Sequence, residues 1–81
     1  MVGVRIKLAR DRLGIFQSEL AKRLGVSQPY ISDVERGRVK PSLEWIIRVA
    51  EALGIDASEL DSRLKGKSDA SQVDTAITRK P

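Results

Sequence analysis

Gly25 interrupts an otherwise continuous helical pattern between Gln17 and Arg36, dividing this stretch into two short helices joined by a tight turn. Apolar residues recur at helical spacing on either side: Leu20, Ala21 and Leu24 before the turn, Ile31 and Val34 after it. Each helix therefore buries one face. In the connecting Leu24-Gly25-Val26-Ser27, the glycine takes the positive φ that ends one helix and Ser27 caps the next. Pro29 falls in the first turn of the second helix, where its missing N–H would have no intrahelical partner, so it stiffens the start of that helix without breaking it. The outer face then carries Gln28, Ser32, Asp33 and Arg36. Short or amide side chains followed by a cation are what a helix needs to meet base edges in a major groove.

The remaining sequence predicts three further helices. The first runs from about Val4 to Leu13, burying Ile6, Ala9 and Leu13, and stops near Gly14. Gly37 closes the third, and Arg38-Val39-Lys40 forms a basic connector to Pro41. Ser42 caps a fourth, which lines Leu43, Ile46, Val49, Ala50 and Leu53 on one stripe before Gly54. Asp56 with Glu59 makes a start resembling a capping box for a short fifth helix carrying Leu60 and Leu64. The expected fold is all-α, a five-helix domain over residues 1–64. Residues 65–81 lose the pattern and keep only Val73, Ala76 and Ile77 to bury, so they are expected to be a flexible, disordered or weakly ordered tail.

Composition narrows the chemistry. Among 81 residues there is no cysteine and no histidine, which removes disulfides, thiolate and imidazole catalysis and the usual zinc ligand sets. A phosphate loop of the Gly-x-x-x-x-Gly-Lys type is absent as well. The expectation is a protein that is not an enzyme, with no metal, no cofactor and no evident small-molecule ligand. No apolar run approaches membrane-spanning length, so no membrane partner is expected and a cytoplasmic location is the default. Charge is unevenly distributed. Residues 1–40 hold nine basic groups against four acidic ones, whereas residues 41–64 hold Arg48 and Arg63 against Glu44, Glu51, Asp56, Glu59 and Asp61. One half suits a polyanion, the other solvent or a protein partner. Tyr30, Arg36, Arg38 and Lys40 are the candidates for anchoring phosphates, which sets register and affinity but not sequence.

Arg10, Gln17, Leu20-Ala21, Gly25-Val26-Ser27, Ile31-Ser32, Glu35-Arg36-Gly37, Pro41-Ser42-Leu43 and Ala50-Glu51-Ala52-Leu53-Gly54 together resemble the lambda-type phage repressor and Cro family, also called the xenobiotic-response-element family. The resemblance covers about residues 2–60. It implies a helix-turn-helix that binds double-stranded DNA. It further implies that Gln17 contacts a phosphate and braces Gln28, and that Gln28 is the prime base reader. A glutamine amide donates to N7 and accepts from N6–H of adenine at once, a match worth about 1–3 kcal/mol of discrimination. In the family's contact set Gln28 is flanked here by Ser27, Pro29, Ser32 and Asp33. Pro29 offers apolar contact only. Asp33 departs from the neutral residues often found there, and either accepts from a cytosine N4 or faces away. By the same resemblance Arg10 and Glu35 form a structural ion pair between the first and third helices.

Two further positions depart from the family. Phe16 stands where a serine or threonine cap is usual, so the second helix loses a cap worth about 1 kcal/mol. Packing back onto Leu13 or Ile15 is the favoured reading of Phe16, exposure beside a sugar–phosphate backbone the other. Trp45 replaces a residue that is often small and polar, and either shields the acidic side or joins a subunit interface. The expected function is a sequence-specific transcriptional regulator, a repressor that occupies a palindromic operator. One recognition helix reads too few base pairs to find a single genomic site, so a homodimer on half-sites about 34 Å apart is expected. Candidate interface residues are Trp45, Ile47, Ile55, Leu60 and Leu64, with Val4 and Leu8 as an exposed apolar pair. The alternative is an antitoxin or adaptor that binds a protein partner, with autoregulatory DNA binding secondary.

Overall fold

The computed structural model describes residues 1–65, and the expectations for the tail beyond them lie outside the described residues. The chain forms α1 (Val2–Leu13), α2 (Gln17–Leu24), α3 (Gln28–Glu35) and α4 (Leu43–Leu53), followed by 3-10 turns at Ala57–Glu59 and Ser62–Leu64. No strand occurs among the described residues. The architecture is all-α, and no described helix is long and apolar enough to cross a membrane.

Local chemistry sets the boundaries of the central pair. Gly25 sits at φ 70°, and its N–H and that of Val26 reach back to the carbonyls of Lys22 and Ala21, closing α2. The Ser27 hydroxyl then accepts from the Tyr30 N–H at 3.2 Å, starting α3 after only three linking residues. Ser42 does the same for α4 through the Trp45 N–H at 3.1 Å. With so short a link, α2 and α3 cannot separate. Both pack on α4 or α1 around Ile6, Leu20, Ile31, Val34, Ile46 and Val49, each at most 1% exposed. Burying a side chain of this size stabilises a fold by about 1.5–3 kcal/mol. Two arginines fasten α2 to α4 at the polar edge of this core. Arg23 donates to the Ala52 carbonyl at 2.7 Å, and Arg48 donates to the Leu24 carbonyl at 3.0 Å.

Several expectations are corrected. Helix α1 begins at Val2, with Gly3 buried against α3, because this first turn packs closely enough to be part of the core. Leu13 is 41% exposed. Its place at the end of the apolar stripe goes to Arg10, whose guanidinium donates to the Ile15 carbonyl at 2.8 Å and draws the following chain over itself. Phe16 is 75% exposed, which overturns the core reading. The fifth helix is replaced by the two 3-10 turns, for which Asp61 gives the reason. Its carboxylate accepts from the Arg63 N–H at 3.0 Å, a donor that a continuing α-helix would spend on its own backbone. The Arg63 guanidinium and that N–H together hold the Asp61 carboxyl down to about 2. Glu59 does not complete a capping box but faces Arg12 across the surface at 3.0 Å. Leu60 and Leu64 are each 1% exposed, so they belong to the core and are withdrawn as interface residues.

Candidate nucleic-acid interface

The site rests on a buried charge. Arg10 and Glu35 lie 25 residues apart in sequence, yet α1 and α3 bring their side chains together with 8% and 3% exposure. Arg10 Nε donates to Glu35 Oε2 at 2.9 Å and Nη2 to Oε1 at 3.2 Å, a two-point arrangement that matches the planar guanidinium to the carboxylate. The hydrogen bonds from this pair raise the Arg10 pKa above its ordinary value. Removing either partner would strand the other charge, at a cost of about 3–5 kcal/mol.

Glu35 also reaches α2. Its Oε1 accepts from Gln17 Nε2 at 2.9 Å. On the far side of the same amide, Gln17 Oε1 accepts from Gln28 Nε2 at 3.4 Å, longer than the usual N–H···O range and the loosest link in the series. Arg10, Glu35, Gln17 and Gln28 thus form a continuous chain from the core to the surface, drawn from α1, α2 and α3. The link between Glu35 and Gln17 escaped sequence reasoning. No local signal marks it, because it spans 18 residues and forms only when α2 crosses α3.

Around the exposed end of this chain, Ser27, Gln28 and Pro29 stand in the open, while Ser32 and Asp33 are half-buried one turn further along α3. Spacings of four and seven residues align Gln28 with Ser32, and Pro29 with Asp33 and Arg36, as two adjacent stripes. Asp33 is 3.9 Å from Arg38, a loose ion pair that draws the connector cation toward α3. Arg36 and Lys40 are exposed and make no ion pair among the described residues. Tyr30 is half-buried and meets Trp45 edge to face, with ring centroids 5.4 Å apart and planes at 85°. That contact accounts for Trp45 as the partner of an aromatic ring on α3.

A helix with a polar outer face, joined to its predecessor by a tight turn, braced from behind and flanked by cations, defines a helix-turn-helix domain. The helix-turn-helix family model matches residues 6–60, and the chain belongs to that family. An uncharacterized HTH-type transcriptional regulator of Mycobacterium tuberculosis is 40% identical over 96% of this chain, which spans 61% of that protein's length. The immunity repressor protein of Bacillus phage phi105 is 42% identical over 73% of the chain and 41% of its own length. Among solved structures, the restriction-modification controller protein C.AhdI from Aeromonas hydrophila superposes with a TM-score of 0.69 at 37% identity, covering 73% of this chain and 89% of that one.

Proposed function

We propose that this protein is a sequence-specific DNA-binding transcriptional regulator that inserts α3 in the major groove and acts as a homodimeric repressor. The observation that carries the reading is the exposed Gln28 amide held by Gln17 at the mouth of a buried network, since a base reader must be both accessible and oriented. Ser27, Pro29, Ser32 and Asp33 border the same face, and Arg36, Arg38 and Lys40 supply cations for the flanking phosphates. Gln17 spends one amide hydrogen on Glu35 and keeps its second for a phosphate. Tyr30 contributes from its half-buried position beside Trp45. Repression by occupancy is favoured by the kinship with a phage immunity repressor. Dimerisation follows from the few base pairs one helix can read, with Val4, Leu8, Trp45, Ile47 and Ile55 as the remaining interface candidates.

Two substitutions separate base reading from charge alone. On a duplex selected from a random pool, Gln28→Ala is expected to lose about 1–3 kcal/mol of affinity while binding to unselected DNA barely changes. Lys40→Ala is expected to weaken both and to flatten the salt dependence. Equal losses for Gln28→Ala on both duplexes would refute the base-reading role.

A further inference from the structure

The polarity of the chain from Glu35 to Gln28 is not arbitrary. A carboxylate only accepts hydrogen bonds, whereas a glutamine amide offers an acceptor at one end and two donor hydrogens at the other. Glu35 Oε1 therefore obliges Gln17 to turn its NH2 group inward, where it stands at 2.9 Å. The Gln17 carbonyl must then point outward, and only a donor can meet it, so Gln28 turns its own NH2 group toward Gln17 at 3.4 Å. One buried charge sets the orientation of two amides in series. Arg10 holds that carboxylate in place by donating to both of its oxygens.

We infer that Glu35 is a specificity-determining positioning residue, which through Gln17 commits Gln28 to read adenine and to reject guanine. This rests on the proposed role of α3 as the base-reading helix. With one amide hydrogen engaged by Gln17, Gln28 presents to a base edge one remaining N–H beside its carbonyl oxygen. That pair matches the N7 acceptor and N6–H donor of adenine. Guanine offers two acceptors, N7 and O6, and would set O6 against the glutamine carbonyl. An amide released from Gln17 is free to turn both hydrogens outward, and the discrimination weakens. A brace that served stability alone would not need a charge at position 35, because burying an ion pair gains little over well-packed apolar side chains of similar volume.

The test uses the full chain and two duplexes: one selected from a random-sequence pool by the wild-type protein, the other carrying the single adenine-to-guanine exchange that wild type tolerates least. The readout is the ratio of the two dissociation constants, from which any loss of folded protein cancels. Glu35→Gln keeps hydrogen-bonding capacity but removes the obligation to accept, and the ratio is expected to fall about three- to tenfold, the equivalent of one hydrogen bond. Gln17→Met leaves the Arg10–Glu35 pair intact and cuts the chain at its middle, with the same expected fall. It decides the matter if Glu35→Gln does not fold. An unchanged ratio in Gln17→Met, or in folded Glu35→Gln, overturns the proposal. If Gln28→Ala still lowers the ratio in that case, base reading by α3 stands and only the relay has failed. If Gln28→Ala leaves the ratio unchanged, both fall together.

Discussion

Gly3 shows how little room the network has at its base. A Cβ built on it would collide with the Val34 carbonyl oxygen and lie 2.8 Å from that of Glu35, so α1 crosses the C-terminal turn of α3 where only a hydrogen fits. Those carbonyls belong to the backbone and cannot swing aside. The contact lies at Glu35 itself, so the same close approach that seals the core also fixes where the buried carboxylate stands. Two effects oppose each other in Gly3→Ala. Alanine gains up to about 1 kcal/mol of helix propensity over glycine. Overpacking a rigid contact costs about 1–3 kcal/mol and more where backbone must shift. The clash wins at this distance, and thermal unfolding followed by circular dichroism is expected to show a melting temperature lowered by several degrees. A variant as stable as wild type would mean that α1 can ride away from α3 without loss.

Among the elements, α2 is the one whose start is badly made. Its N-cap is Phe16, which supplies no side-chain hydrogen bond, and the aromatic ring lies 75% exposed instead of packing on the core. Replacement by serine forfeits little burial and provides the missing acceptor for the first turn. Phe16→Ser is therefore expected to stabilise the domain by about 1 kcal/mol, read as a rise of about 4–8 °C in melting temperature. A fall would reveal packing by Phe16 that its exposure conceals. The same residue marks a boundary of what could be read from sequence. Ser27 and Ser42 are caps with a local partner three residues on, and Gly25 closes α2 with bonds that also stay within one turn, so these features were legible from composition and spacing. The apolar stripes through Leu20, Ile31 and Val49 were legible for the same reason. Where competing local bonds had to be weighed, as at Asp61, two 3-10 turns were mistaken for a fifth helix. At Leu13 and Phe16 hydrophobicity pointed inward and the chain went outward. The Arg10–Glu35 pair was foreseen only through family resemblance, and the extension from Glu35 to Gln17 not at all, because nothing in either helix alone announces it.

At the scale of the whole molecule, the net charge of +4 understates and misplaces the force available for a polyanion. Several cations are already committed at home: Lys7 to Asp11, Arg12 to Glu59, Arg23 to Glu19 and Arg63 to Asp61, besides Arg10 in the core. Exposed pairs of this kind add little stability, yet they neutralise charge that would otherwise act at long range. Around the end of α3 the balance differs, since Arg36 and Lys40 have no such partner among the described residues and Arg38 is held only loosely by Asp33 at 3.9 Å. Each phosphate neutralised releases counterions and contributes about −0.9 to the slope of log affinity against log salt. Three cations on one protomer give a slope of about −3, and two protomers on adjacent half-sites about −5. Titration of a selected duplex over a range of salt concentrations is expected to give the steeper value if the protein binds as a pair. Arg38→Ala should then remove close to two phosphate contacts at once, one from each half-site. A slope near −3, falling by about one in Arg38→Ala, would instead describe a single protomer on the duplex and rule out the dimeric mode.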